Sequence, residues 1–224
     1  MKYKVAEVAG KRGARFEGHY AVWRSRRIQT VLDEYSQRFF EGKTVLEVGA
    51  GYGAIGAFLG SLGAKVTCLE GRAENVQVIQ KRYPFVSAIQ HDLNEGLPET
   101  QNYDIIVHLG VLYHLAKPEL ALREACKRCE HLILETEVSD SDDPQFVCHV
   151  QEHSYIYDQA LDGTGCRPSA AYVERVMREE GFTFTRLNDN RCNWELHTYD
   201  WEMQNTKNYK NGQRRMWFAS KGRK

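Results

Sequence analysis

Long apolar runs are missing from this 224-residue chain: none approaches the roughly 20 residues of a membrane-spanning helix. No membrane partner is therefore expected. A net charge is missing too, because 30 Lys and Arg balance 30 Asp and Glu, which gives the chain as a whole no general pull toward nucleic acid. The opening Met1-Lys2-Tyr3-Lys4-Val5-Ala6-Glu7 has no apolar stretch of the signal-peptide kind, so a cytoplasmic protein is expected. No internal repeat and no low-complexity segment is present, which excludes solenoid and linker-like architectures. The sequence also lacks a second C-x-x-C to accompany Cys126-Lys127-Arg128-Cys129. Without that second ligand pair, these two and Cys68, Cys148, Cys166 and Cys192 are expected to be reduced, packed thiols, and no metal is expected.

What remains is a chain long enough to bury a core of its own. Its charge is unevenly spread. Residues 1–27 carry Lys2, Lys4, Lys11, Arg12, Arg15, Arg24, Arg26 and Arg27, and residues 207–224 carry Lys207, Lys210, Arg214, Arg215, Lys221, Arg223 and Lys224. Such basic ends fit solvated tails or an anionic partner such as RNA; the extreme ends are read as tails.

Hydrophobic spacing predicts a helix from Tyr20 to Phe40, then an alternation of short β-branched runs and amphipathic segments. Strands are expected at Thr44–Val48, Lys65–Glu70, Phe85–Gln90, Tyr103–Leu109, His131–Glu137, Phe182–Leu187 and Arg214–Ser220. Helices are expected at Tyr52–Leu62, Ala73–Arg82, Pro118–Cys129 and Ser169–Glu180. This order predicts an α/β fold with a mostly parallel sheet and helices on both faces. The final two strands have no helix between them and are expected to pair antiparallel. The long stretch from Val138 to Pro168, and the one between the final strands, are expected to serve function.

The strongest local signal is Val45-Leu46-Glu47-Val48-Gly49-Ala50-Gly51-Tyr52-Gly53, a buried strand running into a glycine-rich turn that opens a helix. Glycines there let backbone N–H groups approach a ligand, and the helix N-terminus adds positive potential. Dinucleotide enzymes use such turns as well. Two acids distinguish this one: Glu47 inside the strand, and Glu70 at the end of the next, where a carboxylate can accept from two ribose hydroxyls.

This arrangement resembles the class I S-adenosyl-L-methionine (SAM)-dependent methyltransferases, over roughly residues 44–137 plus the terminal strand pair. The resemblance implies a Rossmann-like sheet of seven strands with the last antiparallel. It also implies SAM as cofactor, its methionine part held by Glu47 and the loop Gly49, Ala50, Gly51 and Gly53. The ribose then falls to Glu70 with Gly71 and Arg72, and the adenine to Asp92 and Leu93 after strand three. Leu109 closes the cofactor set. Residues 44–224 form the methyltransferase domain, and residues 1–43 a basic segment and helix covering the site.

Leu109-Gly110-Val111-Leu112-Tyr113-His114 is similar to a segment of the tRNA wobble-uridine carboxymethyltransferases, as are Trp23-Arg24-Ser25 and Leu134-Glu135-Thr136. Those enzymes need cationic partners for the carboxylate they transfer. By topology, Tyr113 and His114 lie near the transferred group, and His114 is the expected general base. Glu135 is the third expected catalytic residue. His108, inside strand four, is expected to be a satisfied core residue. Tyr20, Trp23, Arg24, His153 and Tyr157 are expected to contact the acceptor, with His149 another candidate. The acids Glu137, Asp140, Asp142 and Asp143 near Glu135 fit a carboxylate site for a divalent cation or a solvated turn, and are read as the turn. Three functions follow: O-methyl transfer to a small polar metabolite such as a sugar, modification of tRNA, or SAM binding without turnover.

Overall fold

A doubly wound sheet organises the computed structural model, which describes residues 16–17, 19–98 and 101–222. The basic run from Lys2 to Arg15, and Arg223 and Lys224, lie outside the described residues. Helices are α1 (His19–Glu34), α2 (Ala54–Ser61), α3 (Ala73–Arg82), α4 (Pro118–Lys127) and α5 (Ala170–Glu179). Strands are β1 (Thr44–Val48), β2 (Lys65–Glu70), β3 (Ser87–Gln90), β4 (Tyr103–Leu109), β5 (Cys129–Ser139), β6 (Val147–Gln151), β7 (Thr164–Pro168), β8 (Phe182–Leu187) and β9 (Tyr209–Lys221).

The seven-stranded sheet has the order β3-β2-β1-β4-β5-β9-β8, parallel except that β9 runs antiparallel to both neighbours. The central strands are buried on both faces and so read as nearly continuous apolar runs. Alternate residues go to opposite sides. Leu46, Val48, Ile106, Leu132 and Leu134 pack toward α4 and α5 through Leu122, Val173 and Val176. Val45, Ile105, Val107 and Ile133 pack toward α1 and α2 through Ile28, Val31, Phe58 and Leu59. Strand order reverses between β1 and β4, which opens a crevice at their carboxyl ends.

Several expected elements change length for local reasons. The first helix stops at Glu34 because Ser36 is extended, and Gln37–Phe40 forms a separate helical turn. Pro118 begins α4, where its missing N–H costs nothing, and Ser169 Oγ caps α5 by accepting from Tyr172 N at 2.9 Å. Cys126 ends α4 buried and Cys129 begins β5 buried. Both are free thiols among the described residues, and burial pushes Cys126 up to about 12.

The stretch from Val138 to Pro168 carries two strands of its own: β6 and β7 form an antiparallel hairpin. The final strand begins earlier than expected, at Tyr209. Its Arg214 and Arg215 lie directly opposite Glu137 and Thr136 of β5, and both are buried.

Candidate functional site

A cavity lies at the crevice, bounded by the β1–α2 loop, the ends of β2 and β4, α1, and the segment Tyr157–Leu161 between β6 and β7. The loop enters it by way of a tight turn. Gly49 has φ +64°, and a Cβ there would stand 2.5 Å from Val111 Cβ, so both backbone conformation and close approach demand glycine. Gly49, Ala50 and Gly51 line the cavity. Gly53 does not: it caps α2 at φ +72° and faces Ile79, so its role is to make the turn, which corrects its expected ligand contact.

Glu70 reaches across to this loop from the end of β2. Its Oε2 accepts from Gly51 N at 2.8 Å, and its Oε1 accepts from Arg72 N at 3.0 Å and Asn75 Nδ2 at 3.2 Å. Burial pushes the Glu70 carboxyl above its ordinary value despite these donors. Gly71 and Arg72 follow it along the cavity, and Asp92, Leu93 and Leu109 complete the lining expected for the cofactor. Asp92 Oδ1 accepts from Asn94 N at 2.9 Å, which fixes the turn after β3.

Glu47 sits under the loop, 4% exposed, with Oε2 accepting from Gly56 N at 2.8 Å and from the Cys68 thiol at 3.2 Å. Gly56 must be glycine for this contact, because a Cβ would come within 2.6 Å of that oxygen. Burial pushes the Glu47 carboxyl up to about 7, although both donors and nearby Arg24 oppose it. A raised folded value means the native state holds the proton more tightly than the unfolded chain. That stabilisation is fully present below the ordinary value of 4.5, falls as pH rises, and is gone above about 7. We expect wild-type stability to lose about 3 kcal/mol from this group across that window. Glu47→Gln should flatten the decline, as measured by urea unfolding at pH steps.

At the other end, Tyr113 and His114 follow β4 on a short helical turn, their rings 3.9 Å apart. Both line the cavity, as do Tyr20, Trp23, Arg24 and Tyr157. The Tyr20 hydroxyl donates to Asp158 Oδ2 at 2.5 Å, tying α1 to the β6–β7 connection. Arg72 ties that connection to β2 by donating to the carbonyls of Ile156 at 2.9 Å and Gln159 at 3.0 Å. His114 Nδ1 lies 2.6 Å from Glu152 Oε2.

Behind this wall is a buried chain of alternating charges. Arg27 Nη1 reaches Glu135 Oε2 at 3.1 Å, and Arg214 Nη1 reaches Glu135 Oε1 at 2.8 Å. Arg214 Nη2 reaches Glu137 Oε1 at 3.2 Å and donates to the Tyr113 hydroxyl at 3.1 Å. Arg167 Nε lies 2.6 Å from Glu137 Oε2, an ion pair without hydrogen-bond alignment, and Arg167 Nη1 reaches Glu152 Oε1 at 3.3 Å.

Four further expectations need correction. Glu135 is fully buried and paired with two arginines, and it is not among the residues that line the cavity. Glu137 and Asp140 are also buried and do not belong to a solvated turn: Asp140 accepts from the backbone of Gln204, Asn205 and Thr206. His153 and His149 are exposed and line no part of the cavity; the His153 ring lies against Tyr155. His108 is buried with no hydrogen-bond partner on either ring nitrogen, and burial lowers it to about 4, so it is a neutral core group. The aromatic segment after β8 packs inward, with Tyr199 buried and its hydroxyl accepting from Trp23 Nε1 at 2.9 Å.

The model for a methyltransferase domain matches residues 20–187. The chain belongs to that methyltransferase-domain family. Its fold is the class I, SAM-dependent one. This methyltransferase is similar in structure to the N-terminal domain of EvdMO1 with S-adenosylhomocysteine (SAH) bound, at TM-score 0.70 and 20% identity, over 96% of this chain and 90% of that one. The same domain in the presence of SAH and D-fucose matches at TM-score 0.66 and 20% identity, over 88% and 83%. Magnesium protoporphyrin IX methyltransferase from Synechocystis PCC 6803 with bound SAH matches at TM-score 0.65 and 14% identity, over 96% and 91%. No curated protein matches the methyltransferase by sequence. No described helix is long and apolar enough to cross a membrane. Sequence reasoning missed Glu152, Asp158 and Arg214. Only Arg214 left a trace, as a cation opening the expected final strand ahead of Met216, Trp217 and Phe218.

Proposed function

We propose that this methyltransferase moves the methyl group of SAM to a hydroxyl of a small polar metabolite such as a sugar. The observation that carries the reading is a histidine, His114, inside an aromatic-rimmed recess continuous with the glycine loop. When bound, SAM supplies an electrophilic methyl on a sulfonium. The cradle suits it: Gly51 N–H and the Glu70 carboxylate flank one face, while Glu47 and Arg24 offer opposite charges to the amino and carboxylate groups of a methionine. Helix α1 roofs the cavity through Tyr20, Trp23 and Arg24. The side chains of Tyr20, Trp23 and Tyr157 would hold a flat or sugar-like acceptor. An acceptor hydroxyl seated there would receive the methyl that SAM supplies, and its proton would pass to His114. The fold-level likeness to a domain crystallised with D-fucose supports a sugar by analogy.

Transfer of a carboxymethyl group would require a spare cation beside the reacting carbon. Arg27 and Arg214 are engaged by Glu135 and Glu137, and Arg72 by two carbonyls, which supports a plain methyl group. The burial of Arg214 and Arg215 likewise removes part of the basic surface that favoured RNA.

Calorimetric titration with SAM and SAH is the first test, and micromolar binding of both is expected. His114→Ala should then leave SAM affinity within about twofold while lowering turnover on a panel of sugars by about 10²–10⁴-fold. A fully active variant removes His114 as the base; RNA binding that falls steeply with salt would favour the tRNA reading instead.

A further inference from the structure

We infer that Glu152 is the positioning residue for His114, fixing the imidazole proton on Nδ1 and leaving Nε2 as the basic nitrogen at the cavity. The inference rests on the reading of His114 as the base. An ionised carboxylate only accepts, so the 2.6 Å contact with Glu152 Oε2 places the donor on Nδ1. In a neutral ring the lone pair then belongs to Nε2, which makes no hydrogen bond to any described residue. His114 is part-exposed and lines the cavity, so its ring can meet an incoming hydroxyl there.

Glu152 is itself held on three sides. Its Oε2 also accepts from Ala160 N at 2.8 Å, and its Oε1 pairs with Arg167 Nη1 at 3.3 Å. On the third side β7 makes room with Gly165, where a Cβ would stand 2.5 Å from Oε1. Burial works against the Glu152 charge, but His114, the Ala160 N–H and Arg167 outweigh it and hold the carboxyl below its ordinary range.

The contact also gives the β6–β7 hairpin a purpose beyond covering the site. One oxygen, Glu152 Oε2, is shared by the His114 ring and by Ala160, which lies in the segment that walls the cavity. Seating that segment and orienting the base are therefore one event. A carboxylate–imidazole pair of this kind sets the tautomer without touching the acceptor.

The test reads the tautomer directly, by nitrogen NMR of ¹⁵N-histidine-labelled protein saturated with SAH at mildly alkaline pH. His114→Asn assigns the resonances. The wild type should show a protonated Nδ1 and a bare Nε2, and Glu152→Ala should move the proton to Nε2, the tautomer a free imidazole prefers. Glu152→Gln, which keeps the shape and one accepting oxygen, should retain part of the Nδ1–H form. It serves as the second variant where Glu152→Ala does not fold. Calorimetry sets the SAH concentration for each variant, so that every spectrum is read on the loaded protein. A wild-type ring protonated on Nε2, or a tautomer indifferent to residue 152, overturns the inference. Failure of SAH to bind would instead strike the cofactor reading, and full activity of His114→Ala the base reading; both are separable from the tautomer result.

Discussion

Glu70→Ala is expected to weaken both SAM and SAH binding by about tenfold to hundredfold, the scale of losing charge-assisted hydrogen bonds worth about 1.5–3 kcal/mol. Glu70 ends β2 beside the point where strand order reverses, and both its oxygens are already aimed by backbone N–H groups. Two losses combine. Where Glu70 holds the ribose, as the class I resemblance implies, the hydroxyls would lose their acceptor, and Gly51 N loses the partner that holds the loop. Glu70→Gln separates them, because an amide oxygen can still accept from Gly51 N but no longer offers a charge to two hydroxyls. It should fall between the wild type and Glu70→Ala. Because burial already strains the Glu70 charge, global stability should change less than affinity does. Calorimetry with SAH, paired with thermal unfolding, checks both. Unchanged affinity in Glu70→Ala would move the ribose elsewhere.

The cofactor half of the site was legible because its chemistry is local. A strand buried on both faces, a glycine turn and a helix start occupy one stretch from Val45 to Gly53. An acid inside such a strand has no bland explanation, since an unpaired buried carboxylate is costly. Even there, the spelling of the loop could not separate Gly51, which lines the cavity, from Gly53, which turns toward Ile79. Both are glycines at positive φ, and only packing from α3 tells them apart.

The acceptor half depended on contacts between distant residues. Glu152 is 38 residues from His114 and sits at the end of β6, a strand whose half-exposed Val147–Gln151 gives no clean alternation. Its partner β7 carries Gly165 and Pro168, both poor strand formers, so the hairpin was hidden by the very glycine that makes room for Glu152. His153, by contrast, looked well placed only because it neighbours the right segment; its side chain turns outward. The C-terminal arginines were legible as strand residues but not as members of a charge chain. Arg214 and Arg215 precede Met216, Trp217 and Phe218 in the expected final strand, and only the pairing with β5 brings Arg214 to Glu135 and Glu137.

That buried charge chain sets up the largest stability effect. Arg214→Met should cost about 3–5 kcal/mol, the range for breaking a buried pair by removing one partner. Arg214 is 2% exposed and touches Glu135, Glu137, the Tyr113 hydroxyl and His197 Nδ1, while its guanidinium lies 4.5 Å from the Trp23 ring centroid. Arg27, Arg167 and Arg214 face Glu135, Glu137 and Glu152, three charges of each sign. Removing Arg214 leaves one negative charge in excess where water cannot solvate it. Adding Glu137→Gln restores the balance: Glu135 keeps Arg27, and Arg167 keeps Glu152. The double variant should therefore be more stable than Arg214→Met alone, by about 1–3 kcal/mol, the size of coupling within one ionic network. Urea unfolding of the wild type, both single variants and the double variant closes the cycle. A single variant within about 1 kcal/mol of wild type would mean that water or protonation relieves the site. A double variant no better than Arg214→Met would mean that the arginine acts by packing Trp23 and Tyr113 rather than by its charge.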